Sequence, residues 1–335
     1  MAEQIEPYVI EIERWDDFGD DEKALREVKL KDMPNNMTYK FEPLKITPNN
    51  LKIILTCIKI DSSYRVSFDE NNYKSSAYAI KHFDFDKLAR YKELDDNSQR
   101  DVEEGIANIC RLIDKENATH LSVSSMGERD SDGKKIKNGD KSNNNKGVEI
   151  MTNYIVNNLQ DLLDKLKNDE LSGECIVDSM ARCVQDVNNN DNVLSKFSFA
   201  SKFCTYVARY KFNDENKDKF SICDSVMCSI LPYYMDKYLD EEDKANYKDC
   251  IVAKYDYKNS ISDRAKHPEN YGYDFSKCGY GWYRDIIGKV IDGIEREINF
   301  RISRKDFDLI LWYYYKGDSD LLEAANLYLV NKYNK

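Results

Sequence analysis

Apolar residues recur every three or four positions through most of this 335-residue chain, which predicts a mainly helical fold. Three stripes show the spacing clearly: Leu51, Ile54, Leu55 and Ile58; Met151, Ile155, Leu159, Leu162 and Leu166; Ile286, Val290, Ile294 and Ile298. Strand-like patterns are short and lie near the N-terminus, at residues 8–12 and 37–41. The chain is therefore expected to be mainly α, with minor N-terminal β structure.

Of the serines that an acidic residue follows three positions later, two stand directly before helical apolar spacing, a pattern typical of helix N-termini. They are Ser98, with Asp101, and Ser303, with Asp306. Residues 260–281, which contain His267-Pro268, are predicted to form a second loop that precedes the helix at residues 286–298.

A polar segment divides the chain into three predicted regions. Residues 122–147 contain almost no apolar side chain and are rich in Gly, Asn, Ser and Lys, which is typical of a flexible loop. Residues 1–121 form an acidic, helical N-terminal region with short strands. Residues 148–335 form a second helical region, whose first helix is predicted to start near Val148.

The formal net charge of −11 argues against an indiscriminate DNA-binding protein. The negative charge is, however, concentrated in one half of the chain. Residues 1–187 carry 27 Lys and Arg against 37 Asp and Glu, whereas residues 188–335 carry 23 against 24. The second half of the chain is therefore close to neutral, which is compatible with a local basic groove there.

Cysteine and histidine usage excludes several other classes of protein. The nine cysteines include no CxxC pair, which favours reduced thiols and a cytoplasmic location. Three histidines without HxxxH spacing predict no metal site, and no cofactor motif is present. No run of eighteen apolar residues is available to span a membrane, and the acidic N-terminus does not resemble a signal peptide.

The most informative stretch is residues 194–231, LSKFSFASKFCTYVARYKFNDENKDKFSICDSVMCSIL. It predicts a tight hairpin at residues 196–200, a helix from Ser201 to about Tyr210, and a second helix that begins near Asp224. Ser201 and Asp224 are suitable N-cap residues. Lys202 then lies in the first turn of one helix and Asp224 at the start of the next, so that an amine and a carboxylate are expected to face one cleft.

This stretch resembles the helix-hairpin-helix DNA glycosylases, specifically the 8-oxoguanine glycosylase branch. In that family a hairpin ending in a lysine opens one helix, and a Val-Pro-Val-Asp segment places an aspartate at the next. Here FSFASK corresponds to the hairpin and its lysine, and FSICD to the approach to the aspartate. About forty residues match closely, and the family's hairpin glycines are replaced by Ser198 and Ala200.

The resemblance implies two helical subdomains around a cleft and a specific chemistry. Lys202 would be the nucleophile that attacks the sugar, and Asp224 the electrostatic partner and proton-transfer group. Backbone N–H groups of Ser198, Phe199 and Ala200 would hold a DNA phosphate. Tyr206, one turn after Lys202, and Trp312 would line the pocket for a flipped base.

The function expected from this resemblance is excision of a modified base from duplex DNA, with accompanying AP-lyase activity. The acidic N-terminal half and the altered hairpin point to a specialised substrate, such as modified bases of foreign (phage) DNA. Two alternatives stay open. One is a non-catalytic nucleic-acid-binding module of the same fold, and the other is an acidic scaffold for protein partners.

Overall fold

The computed structural model describes residues 43–60, 70–117, 119, 121, 146–170, 173–183, 196–252, 260–316 and 319–333. These residues form α-helices joined by turns and short 3₁₀ segments, and none of them lies in a β-strand. The prediction of a mainly helical fold is confirmed. The predicted strands at residues 8–12 and 37–41 lie outside the described residues, as do residues 122–145 of the predicted loop.

The α-helices are, in chain order, α1 (Pro48–Ile60), α2 (Ser76–His82), α3 (Phe85–Ala89), α4 (Asp96–Asn117), α5 (Lys146–Asn158), α6 (Leu162–Asn168), α7 (Ile176–Arg182), α8 (Phe197–Lys211), α9 (Ser225–Tyr238), α10 (Glu241–Asn246), α11 (Lys248–Val252), α12 (Ile261–Lys266), α13 (Gly279–Ile298), α14 (Arg304–Tyr315) and α15 (Ser319–Tyr333). Short 3₁₀ segments occur at Tyr91–Glu93, Glu215–Asp218 and Pro268–Tyr271. Among these helices, none combines the length and the apolar composition that crossing a lipid bilayer requires.

Local capping explains where two of the helices begin. The Ser303 hydroxyl accepts a hydrogen bond from the Asp306 N–H at 3.0 Å, which confirms the predicted cap of α14. The start of α4 differs from the prediction. The Asp95 carboxylate accepts hydrogen bonds from the N–H groups of Asn97 and Ser98, both at 3.0 Å, so that the helix begins two residues before Ser98.

The chain divides into two compact units. The central unit lies within residues 66–224 and 264–285, and the terminal unit within residues 1–65, 225–263 and 286–335. These units do not follow the predicted boundaries at residues 121 and 147. The reason is that α4 and α5, which flank the polar segment in sequence, pack against each other in the central unit.

The core of the central unit is built around α8. This helix packs against α2, α4, α6 and α7 and against the 3₁₀ segment Glu215–Asp218. Eleven of its fifteen residues are buried. Full burial of each aromatic side chain on it, such as Phe199 or Phe203, contributes about 1.5–3 kcal/mol. The helix with the candidate lysine is therefore also the structural centre of its unit.

The terminal unit has a core rich in tyrosine. The Tyr234 hydroxyl donates to the Leu44 carbonyl at 2.8 Å, and the Leu44 N–H donates to the Tyr315 hydroxyl at 2.7 Å. The two hydroxyls lie 3.0 Å apart, and burial raises the pKa of both phenols. This network ties α9 and α14 to the segment before α1 through buried polar groups that satisfy one another.

Candidate active site

Helix α8 is buried on most sides, yet one of its faces is polar. Ser198, Ser201, Lys202, Thr205 and Tyr206 each lie three or four residues from at least one other member of the set, which places them on one side of the helix. Four of them are at least 97% buried, and the Thr205 hydroxyl has no hydrogen-bond partner among the described residues. Because buried polar groups are costly without partners, this face marks α8 as an unusual core helix.

The Lys202 ammonium group donates to the Asp224 carboxylate, with 3.2 Å between Nζ and Oδ2, and to the Ser198 hydroxyl at 3.1 Å. The two charged side chains are only 4% and 9% exposed. Lys202 comes from the second turn of α8, and Asp224 is the residue immediately before α9. The structure thus brings together the two side chains that the sequence singled out, in contact close enough for a proton to pass between them.

The segment before Asp224, residues 220–223, is called the approach segment here. It is neither helix nor strand, and its backbone groups are bound by side chains instead. The Tyr280 hydroxyl donates to the Ser221 carbonyl at 2.6 Å and accepts from the Ser221 N–H at 2.9 Å. The Tyr283 hydroxyl donates to the Ile222 carbonyl at 2.5 Å.

Cys223, the last residue of the approach segment, is bound by a residue that precedes the segment in the chain, whereas Tyr280 and Tyr283 follow it. Its N–H donates to the Ser201 hydroxyl of α8 at 3.0 Å. Buried backbone groups outside regular structure need such partners. Side chains of α8 and α13 therefore fix the backbone of all three residues that lead to Asp224.

The start of α13 is fixed by a buried carboxylate. Asp178 of α7 accepts the Tyr280 N–H at 3.0 Å through Oδ1, and the N–H and thiol of Cys175 at 3.1 and 2.8 Å through Oδ2. Burial raises the pKa of the Asp178 carboxyl. Gly279 adopts a φ of +80°, and a Cβ atom there would lie 3.3 Å from Asp178 Oδ1 and 2.9 Å from the Phe275 ring. Glycine is the residue that accommodates both conditions.

A buried ion pair supports the first residue of the approach segment. Arg284 Nη1 lies 2.8 Å from Asp169 Oδ2, and the two side chains are 3% and 6% exposed. The guanidinium carbon is 5.2 Å from the Phe220 ring centroid, and that ring stacks on Tyr280 with 6.2 Å between centroids. The approach segment is thus packed on its apolar side as well as hydrogen-bonded along its backbone.

A second polar cluster joins the polar face of α8 to the end of α4. The Tyr206 hydroxyl donates to Asn117 Oδ1 at 3.0 Å. The neighbouring Glu116 carboxylate accepts the Ser76 N–H at 2.8 Å and also the Ser76 hydroxyl. Burial raises the pKa of Glu116 to about 7, although both bonds from Ser76 act in the opposite direction. This carboxyl changes charge near neutral pH.

The predicted hairpin at residues 196–200 is wrong. Phe197 to Ala200 form the first turn of α8, and the Ala200 N–H donates to the Lys196 carbonyl at 2.9 Å. No Gly or Pro interrupts this sequence, and burial of Phe197 and Phe199 favours continuation of the helix. The predicted N-cap role of Ser201 is wrong for the same reason, since Ser201 lies inside the helix. Lys202 is the sixth residue of α8 and not part of its first turn.

This correction changes the predicted phosphate contact. Phe199 and Ala200 are fully buried, and the Ala200 N–H is used within the helix. Ser198 is partly exposed, and its hydroxyl accepts a hydrogen bond from the Lys202 ammonium group. The hairpin backbone that was to hold a phosphate is not formed, and of the three residues Ser198 is the one that remains beside Lys202.

The two predicted base-pocket residues lie in different units. Tyr206 belongs to the central unit, is 2% exposed, and has its pKa raised by burial. Trp312 belongs to α14 of the terminal unit and is half-buried, with the Lys316 amine 3.7 Å from its ring centroid. A role in base binding stays a prediction for both.

Sequence reasoning misses Tyr280 and Tyr283 because it predicts a loop at residues 260–281 and a helix only from Ile286. In the structure, α12 and a 3₁₀ segment occupy part of that stretch, and α13 already begins at Gly279. A usable signal was present. Tyr280, Tyr283 and Ile287 continue the apolar stripe of residues 290–298 backwards at spacings of three and four.

A cavity of about 560 Å³ lies elsewhere in the central unit, between residues of α5, α6 and α7. Its walls include Asp169 and Glu174 but neither Lys202 nor Asp224.

Within the described residues, no three His, Cys, Asp or Glu side chains are grouped to hold a metal ion. Comparison of the chain with protein-family models, curated proteins and solved structures gave no match.

Proposed function

We propose that this chain is a DNA glycosylase with AP-lyase activity, in which Lys202 is the nucleophile and Asp224 its proton-transfer partner. The observation that carries the proposal is the buried contact of 3.2 Å between these two side chains. An ammonium group and a carboxylate that are both more than 90% buried do not arise from packing preference alone, since desolvating two charges costs several kcal/mol for each ion. A catalytic role accounts for that cost here, whereas the similarly buried Arg284–Asp169 pair supports the approach segment.

The first step would transfer a proton and break the glycosidic bond. Lys202 passes a proton to Asp224 and attacks C1′ of the sugar with its lone pair. The bond from C1′ to the base nitrogen breaks, its electron pair leaves with the base, and the protonated Asp224 returns a proton to that base. The carboxylate also stabilises positive charge that develops on the sugar.

The lyase step would follow from the same covalent intermediate. The C1′–O4′ bond opens as a proton moves from the lysine nitrogen to O4′, which gives a Schiff base. Asp224 then removes a proton from C2′, and the bond from C3′ to the phosphate oxygen breaks. Water finally hydrolyses the Schiff base and restores the Lys202 amine.

The sugar must reach a pair that is closed off in the structure. Both side chains are buried, so a flipped nucleotide has to displace neighbouring side chains before it can touch them. The proposed substrate is duplex DNA with a modified base, and modified bases of phage DNA are among the candidates. The proposed location is the cytoplasm. The near-neutral balance of charge in residues 188–335 is compatible with approach to DNA.

Borohydride trapping tests the proposal, because borohydride reduces the Schiff base to a stable protein–DNA adduct. The substrates are duplexes with an abasic site or with one of several modified bases. We expect Lys202→Gln to abolish trapping. Lys211→Gln, on the same helix, is the matched control and should trap normally, since that amine binds the carbonyls of Lys81 and Phe83 and lies 5.1 Å from the Phe85 ring centroid.

Asp224→Asn tests the partner residue in single-turnover base release. We expect a rate lower by about 10²–10³, equivalent to about 2.7–4 kcal/mol of lost transition-state stabilisation. All variants are assayed at a temperature at which far-UV circular dichroism shows them folded. If the wild type binds these duplexes but neither releases a base nor traps, the protein is a binding module. If it does not bind them either, the acidic scaffold takes its place.

A further inference from the structure

The approach segment is fixed in a way that its burial alone does not explain. The three residues before Asp224 all have backbone groups that are bound by side-chain hydroxyls. Two of these hydroxyls belong to tyrosines in the first two turns of α13, and the third belongs to Ser201 of α8. Tyr280 uses its hydroxyl twice, as donor and as acceptor, on one residue. A phenylalanine at position 280 or 283 would keep the ring and nearly the same volume, so the tyrosine hydroxyls serve the backbone.

We propose that Tyr280 and Tyr283 are positioning residues that hold Asp224 in register with Lys202. The proposal rests on the function proposed above, and it adds two residues that do not touch the reacting atoms. Their effect passes through the backbone of Ser221 and Ile222 to the carboxylate of Asp224.

The tyrosines can perform this role because their own helix is held in place. Asp178 accepts the Tyr280 N–H, and the Gly279 backbone adopts a conformation that permits α13 to start beside that carboxylate. The Phe220 ring stacks on Tyr280 and lies against the Arg284 guanidinium group. A chain of short contacts therefore runs from Asp178 to Asp224 within the central unit.

The test uses Tyr280→Phe and Tyr283→Phe, which remove one hydroxyl each and keep the rings. We expect single-turnover base release to slow by about 10- to 100-fold, as is typical when a supporting hydrogen bond behind a catalytic group is lost. The Kd for substrate duplex should change by less than about twofold, because neither tyrosine is proposed to contact DNA. Tyr280→Phe and Tyr283→Phe test the proposal independently. If one variant does not fold, the other still gives the measurement.

Tyr315→Phe is the matched control. It removes a buried tyrosine hydroxyl that also binds a backbone group, the Leu44 N–H, but in the terminal unit. It should lower the melting temperature by a similar amount and leave base release unchanged. Equal slowing in Tyr315→Phe and Tyr283→Phe would mean that general destabilisation, not positioning, causes the loss.

A double-variant comparison isolates the route of the effect. If Tyr283 acts through Asp224, Tyr283→Phe should cause no further slowing in an Asp224→Asn background. Undiminished slowing in that background overturns the proposal, as does a wild-type rate in both single tyrosine variants.

An NMR measurement separates this proposal from the proposed function. The Lys202 Cε–Hε signal of ¹³C-lysine-labelled protein, assigned by its loss in Lys202→Gln, reports the contact with Asp224. Positioning predicts that Tyr283→Phe moves this signal in the direction seen in Asp224→Asn, while Tyr315→Phe does not. If the wild type excises no base but the signal moves, the glycosylase proposal fails and positioning stands. An unmoved signal overturns positioning, whatever the activity.

Discussion

Removal of one charge from the buried Lys202–Asp224 pair should have a large effect on stability. In Asp224→Asn the Lys202 ammonium group stays buried, 3.1 Å from the Ser198 hydroxyl, and loses its counter-charge. At 3.2 Å and an effective dielectric constant of about 20, the attraction between two unit charges is about 5 kcal/mol. The Asn amide oxygen and Ser198 retain part of the hydrogen bonding, so we expect a loss of about 2–4 kcal/mol in the free energy of unfolding.

The double variant Lys202→Gln/Asp224→Asn gives the sharper measurement. It removes both charges, so no ion is left buried without a partner, and its loss should be smaller than the sum of the two single losses by at least about 2 kcal/mol. Asp161→Asn is the control within the same unit. Asp161 pairs with Lys165 at 2.8 Å, but these side chains are 59% and 41% exposed, and such pairs contribute about 0.3–0.5 kcal/mol.

Urea unfolding, followed by fluorescence, measures these differences. Trp282 lies in the central unit, so variants made in a background with Trp15→Phe and Trp312→Phe report that unit specifically. Two outcomes refute the reasoning. One is an Asp224→Asn loss no larger than that of Asp161→Asn, and the other is strict additivity of the single losses in the double variant.

Two further predictions follow from other parts of the central unit. Since the pKa of Glu116 is raised from 4.5 to about 7, the folded state binds more protons than the unfolded state between these values, and stability falls as the pH rises through this window. After a discount for the part of the side chain that faces water, this carboxyl accounts for about 1–2 kcal/mol of the fall. Urea unfolding at pH 5 and pH 7.5 should show that Glu116→Gln lacks this part of the fall. An equal change in unfolding free energy between the two pH values in both proteins would contradict the prediction. Gly279→Ala forces a Cβ into a φ of +80° and to within 2.9 Å of an aromatic ring, so we expect a loss of about 1–3 kcal/mol in thermal unfolding, whereas Gly173→Ala, with no atom within 4 Å, should lie within about 1 kcal/mol of the wild type.

The features that sequence pattern predicted correctly are local ones. Helical spacing identified α4, α5 and the second part of α13, and the Ser303 cap of α14 is formed as expected. Asp224 does lie at the start of a helix, because the apolar approach segment ends there. Each of these results depends on residues within about one or two turns of one another.

The errors arose where glycine or tertiary contacts decided the outcome. The predicted hairpin before Lys202 is wrong because this chain lacks the glycines that such a turn requires, and the residues present continue a helix. In contrast, the prediction of a loop at residues 260–281 includes Gly279, which in the structure opens α13 against Asp178. The partners of the approach segment lie about sixty residues away in sequence, so no local pattern contains that information.

The buried pair constrains how this protein can change over evolutionary time. A neutral side chain at either position leaves the other charge buried without a partner. Single substitutions at Lys202 or Asp224 therefore lower the free energy of unfolding more than replacement of both residues together does. Replacement of both residues by apolar side chains of similar volume is typically neutral or stabilising for such a buried pair. Joint replacement of these two residues, with the remainder of α8 intact, is therefore the change at this site that burial permits most readily.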